Sequence, residues 1–267
     1  MRLFPISILS LLPLSSAAGP PAPQHIFTNP STSTSEFKIP TSYESAILAR
    51  RILHLTPLGT LSTIFPSYHH ASSHPSSSIS SLERRPAGLE GMPIGLMDYI
   101  ADCESTGDPT ILAINIATSF KNVASGSNIS LSINWTPPYP PKTRIKSAKN
   151  TFEYSAANLP RFSLLGYLEK ISSEEVEAKD IGSCFTKVHQ DAKYWLPGNK
   201  IHESEWVRLV VQEMYWIGGF GDRAYIGWIP VDEWRNVTSK EWEVVRLPGE
   251  KKGWREWGAD IFGQWDL

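Results

Sequence analysis

Apolar positions along this chain change period several times, and each change marks an element. Residues 43–55, YESAILARRILHL, place Ala46, Leu48, Ala49, Ile52, Leu53 and Leu55 at helical spacing. Ser42 can cap that helix, and Arg50 and Arg51 fall on its outward side. Pro57 and Gly59 stop it, and residues 59–65, GTLSTIF, read as a first strand. Strands recur at residues 93–103, 110–119 (TILAINIATS) and 128–135 (NISLSINW), the last alternating cleanly between apolar and polar. Residues 120–126 make a short helical link, and 161–171 (RFSLLGYLEKI) return to strand. Ser172-Ser173-Glu174-Glu175 offers a capping box for a helix reaching about residue 188. Residues 206–217 and 224–230 then form an aromatic hairpin around Gly218, Gly219, Gly221 and Asp222, ended by Pro230. About seven strands and two principal helices predict a mainly β domain closed as a barrel.

The stretches between these elements set the organisation. Residues 1–18 carry Arg2, an apolar run and Ser16-Ala17-Ala18, the layout of a signal peptide. The run is shorter than the about 20 residues that span a bilayer, so no membrane span is expected after cleavage. Residues 19–41, rich in Pro, Ser and Thr, read as a flexible arm, 42–238 as the folded domain, and 239–267 as a Trp-containing tail. Residues 66–91 read as a long exposed loop.

A formal net charge of −2 without a basic stripe argues against nucleic-acid binding. Two cysteines, Cys103 and Cys184, suit an oxidising compartment, either paired or as two buried thiols. Pairing would add on the order of 4 kcal/mol. Asn128, Asn134 and Asn236 each begin a glycan-acceptor triplet. Export to the cell surface or medium follows, with the vacuole as the alternative.

No reactive constellation emerges. His69, His70 and His74 share a Ser-rich loop without fixed geometry or a neighbouring carboxylate before Glu83. His202-Glu203 lacks the second histidine of a zinc-protease helix, and no nucleophile elbow is present. Gly219-Phe220-Gly221 is not a dinucleotide fingerprint. Glu213, inside an apolar strand, must face solvent or find a cation, and Arg208 and Arg223 are the candidates. Such a pair would hold strand register or dimer contacts; otherwise these charges line a polar cleft. Trp254, Trp257 and Trp265 either pack back on the barrel or form a glycan-binding surface.

Four blocks carry a family resemblance: ARRILHLTPLGTLSTI at 49–64, GMPIGLMDYIADC with GDPTILAINIATSFKNVASGSNISLSINW within 91–135, LPRFSLLGYLEKI at 159–171, and residues 189–238, beginning HQDAKYWLPGNKIHESEW. Together they resemble the secreted CREG family, and within it the fungal CREG-like group. The resemblance implies a split β-barrel related to the FMN-binding pyridoxamine 5'-phosphate oxidases, and a homodimer. In those flavin enzymes FMN lies at the dimer interface, and its phosphate is held just after the strand equivalent to residues 110–119. Thr118, Ser119 and Lys121 stand there, and two hydroxyls with one ammonium can bind a phosphate. The alternative is that Thr118 and Ser119 cap the short helix and Lys121 is solvated. No Arg or Lys occurs between Gly91 and Ser119, where flavin enzymes add cations. Animal CREG proteins are regarded as working without flavin. The first expectation is therefore a non-catalytic binding protein with a protein or glycan partner. An FMN-dependent oxidoreductase is the alternative.

Overall fold

The computed structural model describes residues 39–67, 85–140, 145–146, 151–152, 156–221 and 224–252. The signal and most of the arm, the loop histidines, Arg223 and the three tail tryptophans lie outside these residues.

Helix α1 (Ser42–Leu55) opens on a capping box one residue earlier than expected. Thr41 Oγ1 accepts the Glu44 N–H at 3.1 Å, and Glu44 accepts the Thr41 N–H at 2.7 Å. Seven strands follow in one antiparallel sheet: β1 (Leu58–Ile64), β2 (Pro93–Tyr99), β3 (Thr110–Ile114), β4 (Ile129–Asn134), β7 (Arg161–Lys170), β8 (Ser204–Ile217) and β9 (Ile226–Ile229). Their order is β2-β1-β4-β7-β8-β3, with β9 also on β8. A small hairpin joins β5 (Ile145–Lys146) to β6 (Thr151–Phe152). The sheet curls until Ala101, just past β2, bridges Thr110 of β3, and among the described residues β2 and β3 form no further ladder.

Alternation puts Leu61, Leu131, Ile133, Phe162, Leu164, Leu209, Val211, Met214 and Trp216 inside, against Ile52 and Leu53 of α1. Trp234 of α5 (Val231–Asn236) and Trp242 of α6 (Ser239–Val244) close the same core. One irregularity matters. The β7–β8 register shifts between Leu165 and Gly166, so Gln212 is the extra residue of a bulge. A Cβ on Gly166 would overlap the Val210 carbonyl oxygen, so glycine is required there. The bulge also turns Glu213 to the exposed face while Met214 and Trp216 stay inside.

Strand β3 is apolar at successive positions because both faces are covered. Ile111 and Ala113 face the barrel core, and Leu112 faces a second cluster with Ile171, Ile181, Phe185 and Trp206. That second cluster is roofed by α3 (Ser173–Ala178), α4 (Ile181–Val188) and the 3-10 turn Gln190–Tyr194. The single helix expected to reach residue 188 is thus two helices. They break at Asp180, whose φ of 50° is left-handed. Of the expected capping box only the Ser172 half forms: its hydroxyl accepts the Glu175 N–H, while the Glu175 carboxylate is drawn to Arg208 and Lys179 instead. The expected strand 110–119 is also shorter, since the chain leaves β3 at Ile114 and enters α2 (Thr118–Ala124). Six α-helices among the described residues replace the two principal ones predicted.

Candidate functional site

The stretch Thr118–Lys121 sits where β3 gives way to α2, and α2 packs on β1. The N-cap is Ala117, with no side-chain hydrogen bond, so Thr118 and Ser119 do not cap the helix. The reason is positional: Thr118 lies one residue past the N-cap and Ser119 two, both already inside the helix. Ser119 is only 2% exposed, and Phe120 beside it is in the core. Asn122, also buried, donates through Nδ2 to Thr63 Oγ1 at 3.0 Å, tying α2 to β1. Thr118 and Lys121 are half-buried. Taken as a cradle for a flavin phosphate, the stretch fits poorly. It offers one ammonium and one accessible hydroxyl, and its second hydroxyl is turned inward. None of the buried side-chain polar atoms left unpaired among the described residues belongs to it.

The densest chemistry lies elsewhere, at residues 101–105 between β2 and β3. Cys103 and Cys184 form a disulfide that ties this loop to α4, 81 residues away in sequence. Glu104, almost fully buried, accepts from Lys179 Nζ at 2.7 Å and from Arg208 Nε at 2.7 Å. Arg208 also donates to Glu169 at 2.9 Å and Glu175 at 2.8 Å. The hydrogen bonds from Arg208 and then Lys179 hold the Glu175 carboxyl down at about 2. The partners of Arg208 are therefore these three carboxylates and not Glu213. Five residues along a strand separate Arg208 from Glu213 by about 17 Å.

On its other side the loop engages α1. Arg50, expected to point outward, is 2% exposed. Its guanidinium lies 3.7 Å from Asp102 Oδ1, donates to the Ser105 carbonyl at 3.1 Å, and covers the Trp234 ring at 5.3 Å. Burial pulls Arg50 below its ordinary pKa, and Asp102 and Asp108 push it back up. His54 Nδ1 reaches the other Asp102 oxygen at 3.5 Å while its ring packs on Trp242. Helical spacing alone could not reveal Arg50 as buried, since its partner is on another element. The nearby Asp-Cys-Glu run was the available signal.

His189 is likewise structural in setting. Its ring stacks on Tyr99 at 4.1 Å, and Nε2 donates to the Ile100 carbonyl at 2.9 Å. Tyr99 Oη donates to Asp191 at 2.8 Å. Asp98, next to it, is pushed up by burial, against the pull of the Tyr99 N–H and of His189. No group of three or more metal-ligating side chains occurs among the described residues, and none of their helices is long and apolar enough to cross a membrane. The acceptor asparagines Asn128, Asn134 and Asn236 are all exposed. The first two flank or end β4 and the third ends α5.

Comparison with known proteins adds a family. The family model described as CREG, beta-barrel matches residues 40–236. No curated protein matches the chain. Among solved structures, a heme binding protein from Mycobacterium smegmatis is 20% identical, with a TM-score of 0.49, over 73% of this chain and 60% of that one. This chain thus spans less than two thirds of that protein. A FAD-binding protein from Mesorhizobium loti is 8% identical over 61% of this chain and 87% of its own, at a TM-score of 0.35. A putative pyridoxamine 5'-phosphate oxidase from Listeria innocua is 9% identical over 65% and 94%, at 0.34.

Proposed function

The chain belongs to the CREG β-barrel family, whose model spans residues 40–236, and from that premise we propose that it is an exported glycoprotein acting by binding and not by catalysis. The observation that carries this reading is the state of the Thr118–Lys121 stretch. One of its two hydroxyls is buried, and the next polar residue, Asn122, is spent on Thr63. The charged groups that do converge, around Glu104 and Asp102, are engaged in ties between elements. Export is supported by the signal-like first residues, three acceptor triplets and a disulfide that an oxidising compartment would preserve. The destination is the wall or medium, with the vacuole as the alternative.

The active form is a homodimer. Its support is exposed apolar surface along β1 and β2, where Leu58 and Met97 stand out on one face of the strand pair and Met92 and Leu96 on the other, Met97 with 74% of its surface. The further partner is a protein or a glycan. Titration with FMN, followed by flavin fluorescence, tests the non-catalytic reading. The expected result is no saturable quenching. Stoichiometric binding abolished by Lys121→Ala would replace this reading with an FMN-dependent oxidoreductase. Light scattering at micromolar concentration tests the dimer, which a monomeric mass would remove.

A further inference from the structure

The outer surface of the sheet is divided. Over β3 and the start of β8 it is roofed by α3, α4 and the 3-10 turn, around Leu112 and Trp206. Over β4, the first half of β7, the end of β8 and β9, the outward residues remain half-buried or exposed. Register places Ser132 opposite Ser163, Ser163 opposite Tyr215, and Tyr215 opposite Trp228 in one row across these four strands. The Ser132 and Ser163 hydroxyls lie 2.7 Å apart and satisfy each other, leaving a polar floor.

At one end of the row is an unusual tryptophan. Trp228 is 54% exposed yet held: Tyr215 packs against it edge-on at 5.2 Å, and Tyr225 Oη donates to its carbonyl at 2.7 Å. A fixed, exposed indole presents an apolar face at little cost in side-chain entropy. At the other end, one outward position beyond Ser132 on β4, stands Asn134. It is exposed, and its Nδ2 donates to the Thr136 hydroxyl of its own acceptor triplet at 3.0 Å. Between the two ends, Arg161 opposite Asn134 is drawn onto the Ala157 and Leu159 carbonyls. Three strand steps separate β4 from β9, about 14 Å. A short oligosaccharide spans that distance.

From this juxtaposition we infer that the uncovered sheet face is a bed for the chain's own N-linked glycan on Asn134, with Trp228 and Tyr215 as the platform for its sugar rings. The occupant is set by its anchor, because the attachment point projects from the same face. The inference rests on the exported-glycoprotein reading. Sugar C–H groups would pack on the indole while hydroxyls meet the serine floor.

The test is site-resolved removal of glycans by an endoglycosidase from the native protein, secreted by a glycosylating host and followed by peptide mass spectrometry. Asn236, on α5, is the internal reference. A single stacked ring predicts release from Asn134 about fivefold to tenfold slower than from Asn236. Trp228→Ala should bring the two rates within about twofold, and Trp228→Phe, which keeps an aromatic face, should retain most of the protection. Equal rates in the unaltered protein, or a ratio indifferent to Trp228→Ala, would overturn the bed. A secreted protein glycosylated at Asn128 or Asn236 but bare at Asn134 would also overturn it, leaving the exported reading in place. A chain retained in the cell without any glycan would remove both.

Discussion

Replacing Arg50 with Met tests how α1 is fastened to the loop after β2. Methionine keeps an apolar stem of similar reach but removes the cation. Asp102, whose side chain is 5% exposed, would then lose the charge 3.7 Å from Oδ1, and that oxygen accepts no hydrogen bond from elsewhere. The His54 ring, 3.5 Å from Oδ2, would remain beside it. Breaking a buried pair by removing one partner costs about 3–5 kcal/mol. The Ser105 and Val237 carbonyls lose their guanidinium donors in the same step. For a domain of this size each kcal/mol lowers Tm by about 2–4 °C, so a fall of about 6–20 °C is expected. Thermal and urea unfolding followed by circular dichroism would measure it. The double variant Arg50→Met with Asp102→Asn should recover at least about 1 kcal/mol, because the unpaired charge is gone. A single variant within about 1 kcal/mol of the parent would refute the argument that Arg50 neutralises Asp102.

Other outcomes follow from the same geometry. Cys103→Ser with Cys184→Ser opens a loop with a sequence separation of 81 and should cost about 4.5 kcal/mol in the chain-entropy model. Amide exchange should rise first across α3, α4 and the 3-10 turn, while β4 and β7 stay protected. Gly166→Ala forces a Cβ into the Val210 carbonyl and should leave little soluble folded protein, judged by size-exclusion chromatography. The pH dependence has a definite sign. Glu174, Glu175 and Glu241 are depressed below 4.5, so their contribution is full above that value and is lost as pH falls toward about 2, where Glu175 titrates. Asp98 is raised, so its contribution is full below 3.8 and is lost as pH rises through its higher folded value. Tm should therefore be no lower at pH 5 than at pH 7 and should drop below pH 4, with a smaller acid step in Glu175→Gln.

Much of the sheet was legible because period-2 alternation is imposed by burial of one face, as in ISLSIN of β4. The run TILAI of β3 gave strand composition but not its reason, which is cover on both faces by two clusters. What escaped was decided by contacts distant in sequence. Arg50 and Arg51 look alike on a helical wheel, yet one meets Asp102 and the other Glu250. Sequence closeness makes Arg208 one candidate partner for Glu213, but Glu213 is exposed and the partners of Arg208 come from β7, α3 and the 101–105 loop. The break at Asp180 was hidden because apolar Ala178 and Ile181 keep an i, i+3 spacing across it. For Thr118 and Ser119 the exact helix start, which composition does not fix, decides which hydroxyl is buried.

The central claim, that this barrel binds without a flavin of its own, is tested most directly by the visible absorption spectrum of the protein secreted from its native host. The account predicts a colourless dimer whose spectrum holds no flavin band. A stoichiometric flavin band that disappears in Lys121→Ala would contradict it.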